Sequence, residues 1–144
     1  KEYRRQRQMC IRDRNITGPL VSPEELNRHS FVKCALSQSG RILFCFRQTP
    51  CTSDPLTQIQ FIRKILGIIA YKKSTLETIA NLKSSVFEIS ESIEQLRIIE
   101  SGFSFYSVSV DSSQPSVNEP HDMLDVFKCL EANPQQLSIL NSIK

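Results

Sequence analysis

The chain has 144 residues, of which 40% are hydrophobic and 23% charged, with seven Pro, five Cys, no Trp and a formal net charge of +3. This composition predicts one soluble domain and excludes collagen-like, disordered and disulfide-scaffold chains. Charged or polar residues interrupt every apolar stretch well before the ~18 residues that a spanning helix needs, so we expect no membrane partner.

The N-terminal segment has an unusual origin. Residues 4–14 read RRQRQMCIRDR, which matches the translation of a transposase-type sequencing-library adapter. We therefore interpret residues 1–14 as an adapter-derived scar and leave them out of the fold prediction. The alternative is a basic arm that binds nucleic acid or a membrane.

Setting the scar aside changes the charge balance. Removing its six basic and two acidic residues from the totals of 18 and 15 leaves 12 basic and 13 acidic residues, a net charge of −1. Such a body lacks the long-range attraction for phosphate that dominates nucleic-acid affinity. We therefore expect no nucleic-acid partner.

Residues 15–30 are predicted to be a loop followed by a short helix. Ser22 is an N-cap residue, Pro23 suits the first helical position and Glu25 the third, so a helix is expected through about Arg28. Residues 31–144 are predicted to form a single α+β domain.

The segment from Phe31 to Gln48 is predicted to be a β-hairpin around Gly40. A three-residue loop places Cys34 opposite Phe44 and gives the cleaner separation of apolar and charged faces. In that register Cys34 and Cys45 point to opposite faces and cannot form a disulfide. A two-residue turn, the alternative, would pair Cys34 with Cys45.

Two helices are predicted to follow. Asp54 and Pro55 suit the start of a helix that runs to about Lys72, with Gly67 inside it. The capping box Ser74-Thr75-Leu76-Glu77 then starts a helix that runs to about Ser101, where Gly102 ends it. The short connection predicts an antiparallel helical hairpin.

Apolar residues in the second helix recur at heptad spacing, with β-branched residues at three a positions: Ile79, Val86 and Ile93. The flanking positions carry mainly Ser and Thr rather than charges. We expect this stripe to pack within the chain, with an intermolecular coiled coil as the alternative.

The remaining elements complete the predicted fold. Residues 103–110 form a strand that returns to the hairpin sheet, and residues 111–119 form a flexible linker. Two short helices follow, over residues 120–132 and from Pro134 to the C-terminal end. The fold class is therefore α+β: a β-hairpin and a returning strand packed against a two-helix hairpin, with two short C-terminal helices.

The sequence offers little that points to chemistry. The glycines are isolated, and the Cys and His residues lack zinc-ligand spacing, so we predict no cofactor and no metal. Cys51 and His121 are the one nucleophile and base worth naming, and nothing in the sequence places them together. Lys33, Arg41 and Arg47 could form a basic sheet face, although without the stacking aromatics of an RNA-binding sheet.

We therefore predict a non-catalytic protein-protein interaction or adaptor domain in the cytoplasm, a fragment that lacks its native N-terminus. Its layout resembles longin-type and roadblock-type adaptor domains, which implies a protein partner. The partner, or a second copy of the chain, would bind through helix 74–101 or a sheet edge, with Ile79, Val86 and Ile93 as contacts. The alternative is the non-catalytic C-terminal part of a larger enzyme whose active site lies upstream.

Overall fold

The computed structural model describes residues 13–112 and 114–143, which form two compact units. The first unit ends at Asp111, where the predicted linker begins, and the second starts at Ser112. Residues 1–12 lie outside the described residues, whereas Asp13 and Arg14, the last two residues of the predicted scar, begin the first strand of the sheet. The interpretation of residues 1–14 as an adapter scar stays a prediction. Every helix in the described ranges is too short or too polar to span a bilayer.

Within the described residues, five strands and six α-helices confirm the α+β class. The strands are β1 (Asp13–Gly18), β2 (Lys33–Leu36), β3 (Ile42–Phe46), β4 (Ile62–Ala70) and β5 (Phe105–Ser109). The helices are α1 (Pro55–Gln58), α2 (Lys73–Ala80), α3 (Val86–Glu91), α4 (Gln95–Glu100), α5 (Asp122–Glu131) and α6 (Pro134–Ile143), with a 3-10 helix at Pro23–Asn27.

The strands form one sheet in the order β3-β2-β4-β1-β5, in which β5 runs parallel to β1 and the other neighbours are antiparallel. The predicted hairpin is β2–β3, the predicted returning strand is β5, and the two C-terminal helices are α5 and α6. The prediction of a loop before the short helix is wrong, because Asp13–Gly18 is an inner strand. Its inward-facing Asn15 and Thr17 are polar, which hid the strand from a hydrophobicity pattern.

The pairing register of the β2–β3 hairpin differs from the three-residue-loop register that the sequence favoured. Cys34 pairs directly with Cys45, and a bulge next to the turn brings Leu36 opposite Ile42. The turn end therefore follows the three-residue register, and the rest of the hairpin follows the two-residue register. The two thiols share a buried face and are free. Burial raises the pKa of Cys34 to about 12, so this thiol is unreactive at neutral pH.

The predicted helix from Pro55 to Lys72 is wrong beyond its first turn. Asp54 caps α1 by accepting a hydrogen bond from the Thr57 N–H (3.1 Å), and the chain then enters β4. Four isoleucines favour the extended conformation there. Gly67, with φ of 76°, lies where the pairing with β1 shifts, so it is a bulge residue rather than a helical one.

The predicted helix 74–101 is three helices, α2, α3 and α4. Its predicted capping box is not the one observed: α2 begins at Lys73 without a side-chain cap, whereas Ser85 and Glu88 form a full capping box at the start of α3. Ser92 then ends α3 with φ of 55°, a left-handed conformation that breaks the helix. The prediction of a two-helix hairpin over residues 55–101 is therefore wrong.

Apolar clusters cover both faces of the sheet. On one face the cluster consists of Cys34, Ile42, Cys45, Ile93, Leu96 and Phe105, so α4 and the turn before it pack there. On the other face it consists of Leu20, Leu26, Phe46 and Ile62, which brings the 3-10 helix onto the sheet. Successive strand residues such as Cys45 and Phe46 point to opposite faces, as this division requires.

We predict that Asn15→Val stabilises the protein. Asn15 is fully buried between Ile69 and Ser107, and neither polar atom of its side chain has a hydrogen-bond partner. An unsatisfied buried polar group costs about 1–3 kcal/mol, which an apolar β-branched residue would recover. Urea denaturation of the variant should show this gain in the free energy of unfolding.

The matched control is Asn27→Val at an exposed position, for which we expect a change within about 0.5 kcal/mol. A loss of stability in Asn15→Val would mean that the Asn15 amide is satisfied in solution.

Candidate functional site

Three cationic side chains surround the ring of Phe31 at one end of the sheet. The Arg28 guanidinium carbon lies 5.4 Å from the ring centroid, and the ammonium nitrogens of Lys33 and Lys64 lie 4.6 and 4.9 Å from it. Aromatic faces attract cations because the π electrons make them negative. The ring thus gathers positive charge at one place beside the sheet.

The sheet and the 3-10 helix deliver these groups. Lys33 on β2 is the direct partner of Lys64 on β4, so the two side chains project from the same face. Arg28 and Phe31 lie in the segment that connects the 3-10 helix to β2, here called the 28–31 segment. Together with Arg47, which follows β3, these cations are called the cationic cluster: Arg28, Lys33, Arg47 and Lys64.

Lys33 is the buried member of the cluster. Its side chain is fully inaccessible, and its ammonium donates hydrogen bonds to the main-chain carbonyls of Glu25 (3.2 Å), Phe31 (3.3 Å) and Arg28. Burial, followed by the charges of the other three cations, lowers the pKa of Lys33 to about 8, although the Glu25 carboxylate opposes the shift. The charges of the cluster are therefore close enough to repel one another.

Glu25 supplies the direct counter-charge. One oxygen of its carboxylate pairs with the Lys64 ammonium at 3.2 Å. The Lys64 side chain is 16% exposed and the Glu25 side chain 11%. The other oxygen accepts the Val21 N–H at 2.7 Å. The Glu25 carboxylate thus compensates the Lys64 ammonium, and the low exposure of both groups strengthens their attraction.

Arg47 connects the cluster to the helical layer. Its guanidinium donates to the His29 carbonyl (2.9 Å) and to the Glu91 carbonyl (3.2 Å), and its main-chain N–H donates to the Glu91 carboxylate (3.2 Å). Arg47 thus fixes the 28–31 segment relative to the end of α3.

An ion pair between Glu88 and Arg97 holds α3 in place. The Arg97 Nε donates to Oε2 of Glu88 at 2.7 Å and its terminal nitrogen donates to Oε1, so the contact is bidentate. The same guanidinium reaches the Leu82 carbonyl at 3.3 Å. The Arg97 hydrogen bond, with a further one from the Ser85 N–H, lowers the pKa of Glu88. This pair therefore supports Glu91 and, through it, Arg47.

We expect Glu88→Gln to destabilise the protein at pH 7. Because the folded-state pKa of Glu88 is lowered, its contribution is present above the reference value of 4.5 and is lost as pH falls through the folded value. Thermal melts from pH 7 down to pH 3 should show the gap between parent and variant narrowing as the pH falls below 4.5.

The control is Glu77→Gln, whose exposed pair with Lys73 (3.8 Å) should contribute little at any pH. A gap between parent and Glu88→Gln that is equally wide at pH 3 and pH 7 would contradict the role of the ion pair.

The sequence predicted part of this site. A shared basic face of Lys33, Arg41 and Arg47 was considered, but Lys33 projects toward the 3-10 helix, Arg47 reaches the opposite layer, and Arg41 bridges to Tyr106 on β5. Lys33 and Arg47 nevertheless both belong to the cationic cluster. Lys64 was missed because its segment reads as a helix. The signal that could have found it is the density of β-branched residues in β4.

The predicted contact residues do not form one stripe. Ile79 is partly buried on α2, Val86 at the start of α3 is 74% exposed, and Ile93 is buried in the core between α3 and α4. The break of the helix at Ser92 separates them. Binding of a partner through these residues stays a prediction.

The other candidate groups have local roles. Cys51 packs against the apolar cluster that contains Leu20 and Leu26. The Nδ1 atom of His121 lies 3.4 Å from a Glu119 carboxylate oxygen, and its Nε2 atom lies 3.5 Å from an Asp122 carboxylate oxygen. Within the part of the chain that the structure describes, no group of three or more His, Cys, Asp or Glu side chains could hold a metal ion.

The chain is similar in sequence to enzymes that transfer a cytidylyl group. No protein-family model matches it. It is 34% identical over 101 residues to a 3-deoxy-manno-octulosonate cytidylyltransferase of Chlorobium limicola and 28% identical over 118 residues to one of Protochlamydia amoebophila. These alignments cover 69% and 80% of this chain but only 40% and 45% of the two relatives, so the chain spans less than half of either.

A solved structure shares the fold. It is a CMP:2-keto-3-deoxy-manno-octonic acid synthetase complexed with CTP, with a TM-score of 0.70 at 22% identity, over 90% of this chain and 54% of that one. The prediction of a non-catalytic adaptor domain is wrong, because the similar proteins are enzymes. The findings favour the alternative, a part of a larger enzyme.

Proposed function

We propose that this chain is part of a cytidylyltransferase acting on 3-deoxy-manno-octulosonate, and that its cationic cluster binds the carboxylate of that sugar acid. The similarity to two curated relatives with this activity supports the reaction. The observation that supports the site is the convergence of three cations on the face of Phe31, next to the ion pair between Glu25 and Lys64.

The chemistry of the substrate fits the cluster. A sugar acid carries one permanent negative charge among neutral hydroxyl groups, so a protein distinguishes it from a neutral sugar by pairing that charge. Arg28 offers a planar guanidinium and Lys64 an ammonium, the two donors that proteins use for carboxylates. The pairing is strengthened because Lys64 is mostly shielded from water.

Holding the carboxylate would orient the sugar for cytidylyl transfer. In that reaction a sugar hydroxyl attacks the α-phosphorus of CTP, a new oxygen–phosphorus bond forms, and pyrophosphate leaves. The residues of this chain would act by binding and orientation, which fixes the hydroxyl relative to the nucleotide and lowers the entropic part of the barrier. We extend the proposal to a cytoplasmic location, where the pool of nucleoside triphosphates lies.

Binding of the sugar acid tests the proposal directly. We expect 3-deoxy-manno-octulosonate to bind the full chain in isothermal titration calorimetry, and Arg28→Met and Lys64→Met each to raise Kd. A hydrogen bond to a charged group contributes about 1.5–3 kcal/mol, which corresponds to a loss of roughly ten- to a hundredfold in affinity.

Two controls accompany this measurement. Lys73→Met removes an exposed lysine outside the cluster and should leave Kd unchanged. The methyl ester of the sugar acid lacks the negative charge. We expect its Kd for the parent chain to be as high as the Kd of the acid for Arg28→Met. Equal Kd values for acid and ester would contradict the proposal. So would the absence of saturable binding at 10 mM acid, which limits the binding free energy to about 3 kcal/mol.

A further inference from the structure

We infer that Lys33 is a positioning residue: its ammonium holds the 28–31 segment in the conformation that presents Arg28 and Phe31 to an anion, and does not itself touch the ligand. The inference rests on the proposed carboxylate site and adds a residue to it that acts through others.

The hydrogen bonds of Lys33 carry the inference. An ammonium group has three N–H donors, and Lys33 has three carbonyl acceptors, those of Glu25, Arg28 and Phe31. All of its donors are therefore occupied by the main chain, and its side chain is fully buried. No N–H remains for a ligand carboxylate, so Lys33 differs in role from Arg28 and Lys64.

The three carbonyls span the segment that builds the site. Glu25 lies in the 3-10 helix, Arg28 follows its end, and Phe31 precedes β2. Between them, the His29 carbonyl accepts the hydrogen bond from Arg47. One buried charge on the sheet thus holds the main chain from which the Arg28 side chain and the Phe31 ring project, and which carries the acceptor that anchors Arg47.

The charge state of Lys33 matters because a neutral amine has only two N–H donors and releases one carbonyl. The groups that face Lys33 are Glu25 on the 3-10 helix, Arg28 in the 28–31 segment, Arg47 after β3 and Lys64 on β4. Burial and the surrounding cations lower the pKa of Lys33 to about 8. The site is therefore fully held below this pH and loosens above it.

A measurement without ligand tests the positioning role itself. In carbon-detected NMR of the uniformly labelled full chain, we expect the carbonyl carbons of Glu25, Arg28 and Phe31 to shift between pH 7 and pH 10 with one midpoint near 8, the same as that of the Lys33 Cε. In Lys33→Met these carbonyl shifts should not titrate. Carbonyls that titrate equally in the variant, or not at all in the parent, would overturn the inference.

A second measurement tests whether the positioning of the 28–31 segment by Lys33 affects binding of the sugar acid. If only the charged form of Lys33 presents the site, the Kd of the parent chain for 3-deoxy-manno-octulosonate should rise about tenfold from pH 7 to pH 9, by the fraction of competent molecules. In Lys33→Met, Kd should be high at pH 7 and change little with pH, whereas Lys73→Met should follow the parent.

The outcomes separate the two proposals. Coincident titration of the carbonyls without any binding of the sugar acid would refute the proposed function and leave the positioning of the 28–31 segment by Lys33 established. Binding that is equally tight at pH 7 and pH 9, or a pH dependence that persists in Lys33→Met, would overturn the inference and leave the proposed function intact.

Discussion

The buried ammonium of Lys33 is the interaction on which the arrangement of the site depends. Placing a charge inside a protein is strongly unfavourable unless it is hydrogen-bonded. Here three main-chain carbonyls and the face of Phe31 compensate it. Because the acceptors lie on the segment between the 3-10 helix and β2, satisfying the charge also fixes that segment. Burial and the neighbouring cations nevertheless lower the pKa of Lys33.

The same site joins both faces of the sheet. Lys33 and Lys64 project toward the 3-10 helix, whereas Arg47 reaches the end of α3, on the opposite layer. The capping box of α3 and the ion pair between Glu88 and Arg97 hold that end. Side chains that differ widely in sequence position therefore converge because β2, β3 and β4 are neighbours in the sheet.

Local signals predicted the elements whose pattern is complete within a few residues. The hairpin, the returning strand β5 and the two C-terminal helices follow from turn residues, β-branched runs and proline at the first helical position. The register of the hairpin did not follow, because a bulge depends on the neighbouring strand. Heptad spacing over residues 79–96 suggested one helix, although the Ser85–Glu88 capping box within it marks a new start.

The strand β4 shows most clearly what the sequence alone does not predict. Its apolar residues fit a helical period as well as a buried strand, and only pairing with β1 and β2 selects the extended form. Lys64 became visible as a site residue only once β4 was placed beside β2. The sequence drew attention to Lys33 and Arg47 only as members of a basic face with Arg41, and the convergence of Lys33 and Arg47 with Arg28 and Lys64 is a property of the sheet.

A crystal structure of the full chain with 3-deoxy-manno-octulosonate tests the central claim most directly. The account predicts the carboxylate oxygens at about 2.7–3.2 Å from the Arg28 guanidinium and the Lys64 ammonium, beside the Phe31 ring, with Lys33 still bound to its three carbonyls. A sugar acid bound elsewhere on the chain, or one whose carboxylate faces solvent while its hydroxyl groups contact the cluster, would contradict it.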